Sequence, residues 1–259
     1  MAHLFVTGLG GFLGSELGRG AAAAGWHVSG IAGARELDVR DADAVRAAVA
    51  AAAPDVVVHT ANRMDDRSVT VDGTRAVAAA AVATGARLVH LSTDVVFSGA
   101  HGRALTEDDL PDPVTPYGRD KLDAERLCPD GALVVRTSLL YGGAAPSRQE
   151  REVLEAADGR RDMAFYDDEV RCPIAVGDLA AALLELAAGA ATGVLHVAGP
   201  DAVTRHELAP LVAAHHGRDP AALRAAAGPP DRPKRVVLDC SRAAGLLRTR
   251  VRGVREVLA

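Results

Sequence analysis

Thr7-Gly8-Leu9-Gly10-Gly11-Phe12-Leu13-Gly14 follows a short apolar run, Leu4-Phe5-Val6, and leads into a long alanine-rich segment. Strand, glycine turn and helix, in that order, is the context a dinucleotide-binding fingerprint requires. Gly8 permits the tight turn, Gly11 lets backbone approach a pyrophosphate, and Gly14 lets the helix pack on the strand. Phosphates would sit at the helix N-terminus, where free N–H groups point at them. The glycines are spaced G-x-x-G-x-x-G, unlike the G-x-G-x-x-G of the commonest dehydrogenases. Without the strand before it and the helix after it, the same run would be an ordinary glycine-rich turn.

Outward from this turn the pattern alternates. Short apolar runs predict strands over Leu4–Val6, His27–Ile31, Asp55–His59, Arg87–Leu91 and Ala132–Arg136. Between them, helices are predicted over Leu13–Ala24, Asp41–Ala52, Val71–Ala83 and Thr115–Leu127, with Gly25, Pro54 and Gly85 as stops. Nearly continuous apolar strands separated by helices argue a parallel sheet covered on both faces. The expected fold is a Rossmann-type doubly wound α/β sheet, with ligands at the carboxyl ends of its strands. A further helix over Gly177–Ala188 and a strand over Val194–Val197 return to that sheet. Residues 144–169 are polar, and residues 199–235 are rich in Pro, Gly and Arg. The expected division is therefore a core of residues 1–143 and 170–198, with a discontinuous substrate lobe of residues 144–169 and 199–259.

A second motif lies in the same half of the chain. Only two of the 29 basic residues are lysines, and Lys121 stands four residues after Tyr117, one of three tyrosines. Positions i and i+4 share a helix face. A cation there favours phenolate and lowers a phenol pKa that is ordinarily about 10. Such a tyrosine can exchange a proton with a substrate oxygen near neutral pH.

Bulk properties exclude several classes. The net charge of −5 carries no basic footprint for nucleic acid. Cys128, Cys172 and Cys240 are scattered and form no C-x-x-C, which fits a reducing compartment without structural disulfides. No apolar run reaches the ~20 residues that span a bilayer. No charged n-region precedes the first strand. A cytoplasmic protein without membrane or nucleic-acid partners is expected. His215-His216 and the rest of the chain show no metal-ligand pattern, so no metal is expected. Asp167-Asp168-Glu169 reads as a solvated loop.

With both motifs in hand, the chain resembles the extended short-chain dehydrogenase/reductases, and within them the dTDP-4-dehydrorhamnose reductase-like branch. The resemblance runs through TGLGGFLG (7–14), PDVVVHTAN (54–62), LSTDVVFSG (91–99), TPYGRDKLDAE (115–125), VVRTSLLYGG (134–143), RCPIAVGDLAAALL (171–184) and DRPKRVVLDCS (231–241). It implies that Thr93 binds the reacting oxygen, Tyr117 is the acid and Lys121 holds the cofactor ribose. It implies a cofactor site of Gly8, Gly11, Phe12, Leu13, Gly14, Arg35, Asp38, Val39, Thr60, Ala61 and Asn62 with Tyr117 and Lys121, and substrate contacts from Asp94, Val95, Leu139 and Arg232. Two positions depart from the branch: Val95 and Leu139 stand where aromatic residues usually contact the sugar. Thr70 stands where the branch tends to have asparagine, and the segment after Asn62 is short.

No acid follows Ile31 until Glu36, and Arg35 is available to a 2′-phosphate, so NADP(H) is preferred with NAD(H) left open. The expected activity is reduction of a ketone, either a nucleoside-diphosphate 4-keto-6-deoxy sugar or another small polar ketone. An epimerase or dehydratase, with Glu107 or Asp94 as the extra acid or base, is the first alternative. A non-catalytic nucleotide-binding regulatory subunit is the second, since the branch includes a partner of methionine adenosyltransferase. A homodimer is compatible with all three.

Overall fold

The computed structural model describes Met1–Ala259. The chain forms two compact units. One comprises Met1–Thr93, Pro116–Arg136 and Ala180–Leu195, and the other Asp94–Thr115, Thr137–Leu179 and His196–Ala259. This division differs from the sequence expectation at residues 94–115, 137–143, 170–179 and 196–198, which group with the second unit. Contacts across long sequence separations decide that grouping, and strand and helix patterns do not encode them.

The first unit is a six-stranded parallel sheet. Strands β1 (His3–Thr7), β2 (His27–Ile31), β3 (Val56–His59), β4 (Arg87–Thr93) and β5 (Leu133–Thr137) are joined by an edge strand, Gly193–His196. Their order is β2-β1-β3-β4-β5 and then the edge strand. β1 pairs in parallel with β2 on one side and β3 on the other, with Thr7 opposite both Ile31 and His59. The order reverses between β1 and β3, and in open α/β sheets that reversal opens a crevice at the carboxyl ends.

Helices α1 (Phe12–Ala23), α2 (Ala42–Ala52), α3 (Arg67–Thr84) and α4 (Pro116–Glu125) connect the strands. Asp41 caps α2 by accepting from the Ala44 N–H, and Asp66 caps α3 through Ser68 and Val69. These side chains satisfy donors that a helix start leaves unpaired. Phe5, Ile31, Val45, Val49, Val57, Val77 and Leu88 are among the buried residues of the core on one side of the sheet.

The second unit contains α5 (Arg148–Ala157), the start of α6 (Val176–Ala188), α7 (Arg205–His215) and three small strand pairs. Tyr141, Val153, Phe165, Leu208 and Val212 form its core. Helices α5 and α7 lie in segments that read as irregular. Both begin with a capping box, Ser147 with Glu150 and Thr204 with Glu207. That S/T-x-x-E signal is legible in the sequence. Charge on α5 and Pro210 inside α7 obscure it. No helix is long and apolar enough to cross a membrane.

Candidate active site

The glycine turn is built as a cradle. Gly8 has φ +77°, and a Cβ there would lie 2.9 Å from both Ala61 N and Thr60 Oγ1. The turn is tied to the end of β2: Gly8 N and Leu9 N both donate to Ile31 O, at 2.8 and 2.9 Å. A Cβ on Gly14 would lie 2.0 Å from Gly8 O, so only glycine lets α1 approach the turn. The first-turn N–H groups of Phe12 and Leu13 have no partner within the helix and stand at its N-terminus. On the far side, Thr60 Oγ1 donates to Thr7 O at 2.7 Å. Gly8, Thr60 and Ala61 are thus brought together, with Gly14 buried behind the turn.

At the end of β2, Arg35 is exposed. The turn after it folds back, with Glu36 N donating to Gly33 O at 2.9 Å. Glu36 Oε2 thereby accepts from Ala32 N at 2.7 Å. A carboxylate does reach the end of β2, from a residue too far along the sequence to be counted there. Asp38 is held by Arg40, whose Nε lies 2.9 and 3.0 Å from its two oxygens. That hydrogen bond lowers the Asp38 carboxyl to about 2. Val39 is buried, and a Cβ on Gly73 would come within 2.8 Å of its Cγ2, so its side chain faces α3.

Helix α4 presents Tyr117, Lys121 and Glu125 at i, i+4 and i+8. Asn62 Nδ2 donates to Tyr117 Oη at 3.0 Å, while Asn62 Oδ1 accepts from Thr70 Oγ1 at 2.9 Å. Thr70 therefore orients the amide that meets the phenol. Lys121 is 4 % exposed, and its Nζ donates to Leu91 O at 2.5 Å. Burial, partly offset by Glu125 and Cys128, lowers the Lys121 ammonium to about 8. Thr93 closes β4 two residues beyond Leu91 and is half-buried. Beneath Lys121 lie His90 and His59, with ring centroids 5.3 Å apart. Sequence reading missed both histidines. A polar residue closing or interrupting an otherwise apolar strand was the available signal. Glu125 forms a buried pair with Arg136 of β5, at 2.8 and 3.0 Å, and accepts from Ser92 Oγ.

The residues expected to touch substrate lie in the second unit. Asp94 is fully buried and accepts from Ser138 Oγ at 2.6 Å and from Arg171 Nε at 2.7 Å. Its carboxylate faces protein partners. Arg232 holds Glu169 through Nε at 2.7 Å and lies over the Tyr166 ring at 5.2 Å. Glu169 is 1 % exposed, which corrects its reading as part of a solvated loop. Burial alone would raise its carboxyl, but the Arg232 hydrogen bond with the charges of Arg171 and Arg205 holds it below the usual range. Asp168 in the same run pairs with Lys234 at 2.7 Å. Glu107 accepts from His196 N at 3.0 Å with its side chain 3 % exposed. Val95 and Leu139 are half-buried, and Leu139 packs against the core of this unit.

Known proteins resemble the chain over nearly its whole length. A dTDP-4-dehydrorhamnose reductase of Streptomyces griseus is 37 % identical, covering 93 % of this chain and 87 % of that one. A dTDP-4-keto-6-deoxy-D-glucose reductase of Streptomyces niveus is 33 % identical, over 93 % and 90 % of the two chains. Among solved structures, a dTDP-4-dehydrorhamnose reductase from Bacillus anthracis in complex with NADP superposes with a TM-score of 0.88. It is 23 % identical and the match covers 100 % of this chain and 97 % of that one. The family model described as RmlD substrate binding domain matches residues 2–259, and the chain belongs to that family.

Proposed function

We propose that this protein is an NADPH-dependent reductase whose substrate is a nucleoside-diphosphate 4-keto-6-deoxy sugar. The observation that carries the reading is the hydrogen bond from Asn62 to Tyr117 Oη, on the helix that also holds the buried Lys121. The names of the relatives, both reductases of dTDP-linked sugars, support the substrate class. The glycine turn fits a dinucleotide, because the missing Cβ of Gly14 lets α1 pack against Gly8 O and holds the free N–H groups at the start of α1 close to the turn. Arg35 suits a 2′-phosphate, which favours NADP(H). The Glu36 carboxylate at the end of β2 suits a ribose 2′-hydroxyl and leaves NAD(H) admissible.

A nicotinamide cofactor held at the Gly8–Gly14 turn would supply the hydride. Tyr117 gives its proton to the carbonyl oxygen as negative charge develops there. The Asn62 amide N–H, aimed at Tyr117 Oη, stabilises the charge left on the phenol oxygen. Thr93 supplies a hydroxyl at the end of β4 to orient the carbonyl. Lys121 contributes a positive charge from a buried position, where its field is little screened. The carboxylates an epimerase or dehydratase would call on, Asp94 and Glu107, are both buried and occupied, which disfavours that alternative.

The test is NADPH oxidation with a dTDP-4-keto-6-deoxyhexose, in the parent and in Tyr117→Phe. The variant should bind NADPH normally and lose ~10²–10⁴ in kcat, the scale of general acid catalysis. Near-normal turnover in the variant removes Tyr117 from its role, and no oxidation by the parent rejects the substrate class.

A further inference from the structure

Two buried histidines lie side by side under α4, and their surroundings differ. His59 is fully committed. Thr74 Oγ1 spends its proton on Thr70 O at 2.6 Å and so accepts from His59 Nε2–H at 3.1 Å. Thr7 Oγ1, at 2.6 Å, then donates to His59 Nδ1. Both ring nitrogens are paired, as expected of a histidine that serves the fold. His90 is not paired in this way. It is fully buried, its Nδ1 has no hydrogen-bond partner, and its Nε2 lies 3.4 Å from Lys121 Nζ. An ammonium can face a ring nitrogen only when that nitrogen carries a lone pair. The Lys121 charge therefore selects the tautomer with Nε2 bare and the proton on Nδ1, where nothing receives it. A fold selected for stability alone gains nothing from that buried donor.

We propose that His90 is a positioning residue for Lys121: its neutral imidazole accepts from the ammonium through Nε2, fixing Nζ against Leu91 O and keeping it charged inside the protein. The proposal deepens the reductase reading, on which the catalytic part of Lys121 rests. The groups acting on Lys121 are Glu125 on its own helix, Cys128 just beyond it, and His90 and His59 on the strands beneath. Burial keeps both histidines neutral, so neither repels the ammonium near neutral pH. Glu125 is itself held by Arg136, which leaves His90 the one side chain seen to meet Nζ directly.

The chain has two lysines, so protein labelled with 13C-lysine gives two signals, and Lys234→Arg identifies that of Lys121. His90→Leu removes the acceptor at similar volume, and His90→Gln keeps an acceptor oxygen near the place of Nε2. In His90→Leu the Lys121 signal should titrate on the order of one pH unit lower than in the parent, the worth of a charge-assisted hydrogen bond. His90→Gln should recover most of that difference. Equal titration in the parent and His90→Leu, or a Gln variant no better than Leu, overturns the proposal. If His90→Leu does not fold, 15N-histidine spectra of the parent decide instead: a proton on Nε2 of His90, or an imidazolium, overturns it. The high-pH limb of kcat should follow the Lys121 titration across the variants. If the titration moves and the kcat limb does not, the positioning role stands and the catalytic reading of Lys121 fails.

Discussion

Replacing Gly14 by alanine tests the cradle directly. The added Cβ would lie 2.0 Å from Gly8 O, 2.7 Å from Gly8 C and 2.9 Å from Leu9 Cα. All three are backbone atoms, so no rotamer change relieves the contact. The turn cannot easily retreat, since Gly8 N and Leu9 N are bonded to Ile31 O and Gly11 N to Gly8 O. Reaching the 3.0 Å that real Cβ atoms respect requires a backbone shift of about 1 Å. Overpacking of this kind costs ~1–3 kcal/mol. The higher helix propensity of alanine offsets roughly 1 kcal/mol. A net loss of up to about 2 kcal/mol is expected, with NADPH affinity reduced at least ~10-fold because the N–H groups at the start of α1 move with the turn. Gly18→Ala is the control within α1. Its Cβ meets only the Leu9 side chain, at 2.7 Å from Cδ1, which can swing aside. It should be neutral or slightly stabilising. Urea unfolding and fluorescence titration of NADPH measure both effects. If Gly14→Ala unfolds and binds NADPH as Gly18→Ala does, the close approach of α1 to the turn is wrong.

Arg35→Ala should lower NADPH affinity by ~1.5–3 kcal/mol, the worth of a hydrogen bond to a charged group, and leave NADH almost unchanged; equal losses for both cofactors would show a structural role. Asp94→Ala removes the bidentate partner of the buried Arg171 guanidinium, leaving it only the longer contact to Glu169 at 3.4 Å, and should cost about 3 kcal/mol in chemical denaturation, so a change under ~1 kcal/mol would refute the buried-pair assignment. His59 is lowered from 6.5 to about 3 by burial and the Lys121 charge, and His90 moves the same way. Between those values the unfolded chain binds more protons, so stability is complete above pH 6.5 and is lost as the pH falls toward 3. Through His59 stability should fall by about 2 kcal/mol between pH 6.5 and about 5, with His90 acting in the same direction, and an unfolding midpoint constant over that range would contradict their burial. Lys121 acts at the other end: its folded value of about 8 lies below its ordinary 10.5, so its burial penalty holds below pH 8 and is relieved as the pH rises through 10.5.

The class of fold and the elements that carry the candidate site were legible in the sequence. Strand–turn–helix around Gly8–Gly14, the valine run at Val56–Val58 and the i, i+4 pair of Tyr117 and Lys121 are local patterns. Backbone geometry and helix periodicity make such patterns legible without a partner. Asp41 and Gly85 mark helix ends for the same reason. The capping boxes of α5 and α7 were equally local, and a charged helix face and an internal proline hid them.

Tertiary structure alone decided what each polar side chain does. Glu36 reaches the end of β2 because a turn at Gly33 reverses the chain, which counting residues from Ile31 does not reveal. Glu169 stands in an acidic run yet is buried, because Arg171 and Arg232, two and 63 residues away, neutralise it. Asp94 and Ser138 meet across 44 residues, and Lys121 and His90 across 31. The free energy of a polar group depends on whether charge and hydrogen-bond partners arrive with its burial. Those partners come from distant parts of the chain, so the composition around a residue carries little information about them.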